Sequence, residues 1–194
     1  MPRCFWCTDD PLYIRYHDEE WGVPVYDAGV LFEMLVLDGF QAGLSWLTVL
    51  RKRAHYRRVL HGFDPARLAQ LSDEEIEQLM QDPGIIRNRA KLRAARQNAQ
   101  AWLRLEDPVG FLWSFVGGSP KINQFTARED VPAITSEAEA MSRALKKAGF
   151  SFVGPTICYA FMQAAGMVMD HTRDCDRFAV LSVPRDRSPT SRPA

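Results

Sequence analysis

Four side chains near the two ends of the chain have the types and spacing to hold a metal ion. Cys4 and His17 lie thirteen residues apart, and His171 and Cys175 lie four apart. The H-x3-C pair can meet a cation from one side, and the two pairs together make a Cys2His2 set. Four such ligands leave no open position, which is the pattern of a structural zinc and not a catalytic one. Cys7 stands as a rival to Cys4, and the plain alternative leaves both thiols buried without a metal. A second kind of chemistry belongs to glycine turns. Gly149 and Gly154 bracket a short apolar hairpin, and the run Phe152-Val153-Gly154-Pro155-Thr156 before a helix would offer backbone amides to a phosphate. The same run also reads as a helix-helix connection with glycines for steric room. Residues 82–91 are similar: Gly84 is followed by Arg87, Lys91 and Asn98 on one helical face, with Arg89, Arg93 and Arg96 on a neighbouring one. A solvated basic face is the ordinary explanation of such a run.

These residues need elements to position them. The segment 149–175 reads as the organising one, with a helix from about Gly154 to about Gly166 opened by Pro155, which needs no backbone donor at that position. Only Thr156, Tyr159 and Gln163 make a polar stripe on it, so it should be buried on most sides, with Cys158 in the core. Upstream, apolar spacing predicts a helix over 27–37 capped by Asp27, and a second over about 41–60 whose second half is basic. Ser72 to Glu75 and Ser136 to Glu139 read as capping boxes, starting helices that end near Met80 and Ala148. Gly84 should open a helix through Leu103, and 111–116 a short one. No period-2 strand or internal repeat is convincing, and the proline-bearing first twenty-five residues should wrap the surface. The expected fold class is all-α: one domain over 1–178, then a disordered tail over 179–194 rich in Arg, Ser and Pro.

Composition sets outer limits. The 194 residues are 46% hydrophobic and 25% charged, ordinary for a soluble globular chain long enough to bury a core. No apolar run reaches a membrane span, the N-terminus lacks a basic-then-apolar leader, and four scattered cysteines favour reduced thiols, so a cytosolic protein is expected. The net charge is zero but uneven. Residues 1–50 carry two basic and eight acidic side chains, and 51–104 carry twelve basic and six acidic, which makes the middle third the candidate for a polyanion.

Several motifs in order carry a resemblance to a known family. Cys4, Trp6, the run Asp10-Pro-Leu-Tyr-Ile14, Tyr16-His17-Asp18, Glu20-Trp-Gly-Val-Pro24, Gln41-Ala-Gly-Leu-Ser-Trp46, Phe111-Leu-Trp-Ser-Phe-Val116 and the stretch from Gly149 to His171 closely resemble 3-methyladenine DNA glycosylase I over roughly residues 4–175. The resemblance implies a helix-hairpin-helix fold, a structural zinc on Cys4, His17, His171 and Cys175 joining the two ends, and removal of N3-alkylated adenine from duplex DNA by a monomer. It assigns Tyr16 and Trp46 to stacking on an extruded base, with Trp6 and Tyr13 near them, whereas Trp21 reads as core. The two glycine turns and the uneven charge together make Gly84, Arg87, Lys91, Gly149, Val153, Gly154 and Thr156 the expected DNA contacts.

One departure bears on the chemistry. The family has Glu where this chain has Asp38, and usually Gln where it has Phe40. The family carboxylate accepts hydrogen bonds from the base, and Asp38 keeps the charge with about 1.3–1.5 Å less reach. It could bind through a water, the backbone could shift inward, or base preference could move toward a larger alkyl group; a plain alternative is an Asp capping a turn before Gly39. Asp170 sits where many helix-hairpin-helix glycosylases place an essential Asp, and a supporting role beside His171 is the competing reading. No lysine occurs from 148 to 175, which points to hydrolysis without strand cleavage. A noncatalytic damage-binding module, its pocket spoiled by Asp38 and Phe40, is the rival from another class.

Overall fold

A computed structural model describes residues 2–183. All of its α-helices except the last two begin where the sequence supplies a side-chain acceptor for orphan amides. Asp10 accepts from Leu12 and Tyr13 amides to open α1 (Pro11–Glu19), and Asp27 accepts from Val30 to open α2 (Ala28–Gln41). Ser45 caps α3 (Trp46–Val59), and Asp64 caps the short α4 (Pro65–Leu68). Ser72 and Glu75 form the expected capping box on α5 (Asp73–Leu79), and Asn88 caps α6 (Arg89–Trp102). Asp107 opens α7 (Pro108–Trp113); α8 (Ser136–Lys147), α9 (Pro155–Ala164) and α10 (Asp176–Leu181) complete the helices. The strands β1 (Lys121–Ile122) and β2 (Val168–Met169) pair in parallel with Lys121 opposite Val168. Two residues each are too few to leave an alternating pattern in the sequence, so the all-α expectation misses them.

The core forms around α2, which buries Leu31, Phe32, Leu35, Val36, Leu37 and Phe40 and packs against α9, α3 and α6. Phe161 and Met162 of α9 are fully buried, so the helix after the hairpin is central as its composition predicts. The N-terminal segment lies against it: Gly22 and Val25 amides donate to the Gln163 and Ala165 carbonyls at 3.1 and 3.0 Å. That contact needs Gly166, where a Cβ would lie 2.4 Å from the Val23 carbonyl carbon.

Several boundaries differ from expectation for identifiable reasons. α2 continues past Leu37 to Gln41, placing Asp38 inside a helix and not at a turn, and a turn through Gly43 delays α3 to Trp46. Gly84 opens no helix, because the Asp82 carboxylate takes its amide at 2.7 Å into a turn and Asn88 caps α6 four residues later. Thr135, not Ser136, caps α8, accepting from Ala138 at 3.2 Å. Helix α10 runs through Leu181, past the expected domain boundary at 178, and residues 184–194 of the expected tail lie outside the described residues.

Candidate base pocket and metal centre

Cys4, His17, His171 and Cys175 converge in the folded chain. All four are buried, and their ligand atoms lie within 4.8 Å of one another. The His171 Nδ1 is 3.4 Å from both Cys4 and Cys175 sulfurs, and the His17 Nε2 is 3.5 Å from Cys175. Each ring is turned by its other nitrogen. His17 Nδ1 meets the Asp18 carboxylate at 2.7 Å, itself held by Arg3, and His171 Nε2 meets the Trp21 carbonyl at 3.0 Å. Those acceptors require N–H on the outward nitrogens, which turns the lone pairs of His171 Nδ1 and of His17 Nε2, itself 3.2 Å from the Cys4 amide, toward the sulfurs. Contact between the two sulfurs holds the Cys175 thiol below its ordinary value and the Cys4 thiol above it. Cys7 lies outside the cluster with its thiol toward the Thr8 carbonyl, which settles its rivalry with Cys4.

Beside this cluster opens a cavity of about 240 Å³ whose walls include Trp6, Tyr13, Tyr16, Asp38, Trp46 and Asp170. Trp6 is fixed by rings on three sides, at 5.0 Å from Tyr13, 5.1 Å from His17 and 4.9 Å from Trp21. Trp21 therefore belongs both to the buried cluster and to the cavity wall. Tyr16 and Trp46 have centroids 5.4 Å apart and are tilted by 47°. A base sandwiched between two rings needs about 7–8 Å, twice the usual carbon contact, so this pair is not an open slot. The last turn of α2 carries Asp38, which is 2% exposed and has an Oδ2 that meets no donor. Burial pushes its carboxyl well above the usual carboxylate range. Trp46 buries an indole Nε1 that also lacks a partner. Phe40, by contrast, stacks on Tyr56 at 4.6 Å within the core and is absent from the cavity wall, so it does not obstruct the pocket.

Asp170 reaches the same cavity and is fully engaged. Asn123 donates to its Oδ1 at 2.7 Å, and Tyr159 and Gln163 donate to its Oδ2 at 2.5 and 2.8 Å. None of these three donors is His171, the adjacent residue beside which a supporting role is the competing reading. Phe5 and Val131 are wall residues that the sequence does not single out, and Gln41 and Gln163, named in a motif and in the polar stripe, had no pocket role assigned. Gln41 and Gln163 carried a usable signal, since each follows a named residue by one helical turn or less.

The hairpin between α8 and α9 divides its glycines into two kinds. Gly149 has φ +99° and ends α8: its amide and that of Phe150 return to the Lys146 and Leu145 carbonyls. It is a helix stop, and its amide is not available to a phosphate. Gly154 has an ordinary φ of −64°, and a Cβ there would meet nothing within 4 Å. Among the described residues, no acceptor answers the amides of Phe152, Val153, Gly154 or Thr156. The second turn is different. Gly84 and Ile86 amides go to Asp82 and the Tyr56 hydroxyl, leaving exposed Arg87 as its free contribution. Lys91 is 7% exposed, with its ammonium on the Phe40 and Ala42 carbonyls at 2.8 and 2.6 Å, so it is not a phosphate contact. Part of the middle-third surplus is likewise occupied: Arg51, Arg53 and Arg57 pair with Asp10, Glu20 and Glu33 of the first fifty residues, while Arg89 and Arg96 pair with Glu77 and Asp73 of the same segment. Lys146, close enough to α9 for its charge to lower the Cys158 thiol against burial, is a cation beside the hairpin that the sequence reading left out.

Known proteins supply a frame for this geometry. The sequence pattern of the methyladenine glycosylase family matches residues 6–178. DNA-3-methyladenine glycosylase 1 of Escherichia coli is 54% identical over 179 residues, covering 90% of this chain and 96% of the relative. The DNA-3-methyladenine glycosylase of Haemophilus influenzae is 48% identical over 177 residues, covering 89% and 96%. A crystal structure of 3-methyladenine DNA glycosylase I is similar with a TM-score of 0.89 at 52% identity, over 90% of this chain and 98% of that one. A tyrosine-to-phenylalanine variant of 3-methyladenine DNA glycosylase I, solved in complex with 3-methyladenine, gives 0.88 at 39% identity over 91% and 97%. Matched from Trp6 in the pocket wall to Phe178 beyond the cysteine and histidine cluster, the chain belongs to the methyladenine glycosylase family.

Proposed function

We propose that this protein is a monofunctional DNA-3-methyladenine glycosylase that takes the damaged base out of duplex DNA and hydrolyses its N-glycosidic bond. The observation that carries the reading is the pair of unanswered buried polar atoms in an aromatic-walled cavity, the acceptor Asp38 Oδ2 and the donor Trp46 Nε1. An adenine edge offers an amino donor beside a ring-nitrogen acceptor, which is the complementary pattern. While attached to deoxyribose, N3-methyladenine is cationic. Electron-rich rings and a carboxylate in a dry site hold that charge better than they hold a neutral base.

The same charge defines the reaction. When the bond to C1′ breaks, its electron pair neutralises the departing base, so no acid is required at the leaving group. The sugar left behind is electron-poor and takes the oxygen of a water, whose proton passes to solvent. Asp170, held in place by three donors, is the carboxyl group set against that developing cation. No lysine is among the cavity-wall residues, which favours water over a covalent amine intermediate. The hairpin amides from Phe152 to Thr156 anchor a phosphate and carry no sequence information. Cys4, His17, His171 and Cys175 hold a structural zinc, which clamps the N-terminal segment bearing Trp6, Tyr13 and Tyr16 to the segment after β2. We read the protein as a cytosolic monomer; no described helix is long and apolar enough to cross a membrane.

The test is analysis of free bases released from methylated duplex DNA. Release of 3-methyladenine with the strand left intact at the abasic site is expected. Binding to alkylated DNA without release would favour the noncatalytic damage-binding module instead, and selective release of a larger 3-alkyladenine would show that Asp38 has shifted base preference.

A further inference from the structure

The buried face of α6 fastens two separate parts of the site. At one end, Lys91 Nζ donates to the Phe40 and Ala42 carbonyls, on either side of Gln41 in the cavity wall. The last carbonyls of a helix have no partner within it; beyond α2 a long 3.4 Å bond runs from the Ala42 amide to Gly39, and the Leu44 amide takes the Gln41 carbonyl at 2.6 Å. The ammonium supplies what is missing and places a positive charge at the negative end of the helix that carries Asp38. Two turns further along α6, Asn98 holds Ser151 by both backbone groups, accepting from its amide at 2.8 Å and donating to its carbonyl at 3.0 Å. The next residue, Phe152, has φ +56° and lies against α2, since a Cβ on Gly39 would be 3.5 Å from the Phe152 Cβ. A phenylalanine in that conformation persists only where its surroundings over-determine it.

From this junction we infer that Lys91 is a positioning residue for base recognition, setting the placement of the Asp38 carboxylate through the last turn of α2. The inference rests on the base-pocket reading above. Its physical content is that a carboxylate with shortened reach tolerates less movement of its backbone than a longer one. Lys91 and Asn98 together make the hairpin and the carboxylate turn parts of one rigid unit. Asp38 thus has its distance to an extruded base fixed relative to the backbone amides that anchor the strand.

The experiment is a double-mutant cycle read on binding of free 3-methyladenine, followed by quenching of the pocket tryptophans. Lys91→Met and Lys91→Gln are each placed in the natural protein and in Asp38→Asn, at a temperature where thermal scans show every variant folded; Lys91→Gln keeps a donor should Lys91→Met fail to fold. Loss of base affinity on the order of tenfold is expected in the natural background, and little or none in Asp38→Asn, since coupled residues are not additive. Affinity for undamaged duplex and its salt slope stay as they were. Equal losses in both backgrounds would overturn the inference by making Lys91 merely structural. A salt slope reduced by about one with base affinity unchanged would overturn it by making Lys91 a phosphate contact after all. A natural protein that binds no free base overturns this inference and the proposed function together, whereas one that binds the base but releases none from DNA overturns only the activity.

Discussion

Asp38 Oδ2 and Trp46 Nε1 belong to side chains that line one cavity, yet each is buried without a hydrogen-bond partner among the described residues. A fold gains nothing from two such groups, since each buried polar atom left unpaired costs about 1–3 kcal/mol. Their retention is what a site waiting for a complementary polar ligand looks like. The first prediction follows directly. Asp38→Asn removes a buried charge that no cation offsets, so the variant should melt above the natural protein at pH 7, by about 2–4 °C for each kcal/mol regained. It should at the same time bind 3-methyladenine more weakly. A lower melting temperature in the variant would show that Asp38 has a stabilising partner in the fold.

The raised Asp38 carboxyl also sets two pH dependences of opposite use. The folded state holds this proton more tightly than the unfolded chain, whose Asp titrates at about 3.9. Between that value and the raised folded one the native state binds more protons, so stability declines as pH rises through the window. Base binding, which needs the carboxylate, rises over the same window. Binding of 3-methyladenine measured against pH should therefore show an acid limb above the normal Asp range, and Asp38→Asn should flatten it.

Metal removal tests the clamp. Metal analysis should find one zinc per chain, absent from a Cys175→Ser variant. Chelation should lower the melting temperature by on the order of 10 °C or more, because ligand binding energy at such a site is folding energy. Base affinity should fall with it, because Trp6 packs on His17 and Trp21, whose positions depend on the site. Retention of base binding in the metal-free, still folded protein would separate the pocket from the clamp.

The two hairpin glycines should respond oppositely to alanine. Gly149→Ala forces a side chain into φ +99° and within 2.8 Å of the Arg104 guanidinium, and should cost about 1–2 kcal/mol in a denaturant titration. Gly154→Ala meets no protein atom and has an ordinary φ, so stability should hold or rise slightly while affinity for duplex DNA falls. Unchanged DNA affinity in Gly154→Ala would mean that nothing approaches this backbone closely.

Much of the architecture could be read from local chemistry. Asp27, Pro155 and the Ser72 to Glu75 box mark helix starts because capping depends on residues within one turn. The four candidate metal ligands, 171 residues apart at the extremes, were found by residue type alone. Lys91 was misread because a cation in a basic run looks solvated until its long-range partners, the Phe40 and Ala42 carbonyls, are known. Part of the uneven charge map has the same long-range origin: Arg51, Arg53 and Arg57 answer acids in the first fifty residues and join α3 to the N-terminal segment and α2. Phe40 looked like a fault in the pocket because its neighbour in sequence, Asp38, faces the cavity, whereas two residues along a helix turn a side chain to another side. Asn123, from the segment after α7, could not have been linked to Asp170 without the β1 and β2 pairing that brings them together.

The most direct measurement compares release of free 3-methyladenine from methylated duplex DNA by the natural protein, Asp38→Asn and Asp38→Glu. Substantial release by the natural protein, lost in Asp38→Asn, is the predicted result, with the shorter carboxylate doing the recognition from its fixed place on α2. No release until Glu is installed, or release unchanged in Asp38→Asn, would contradict it.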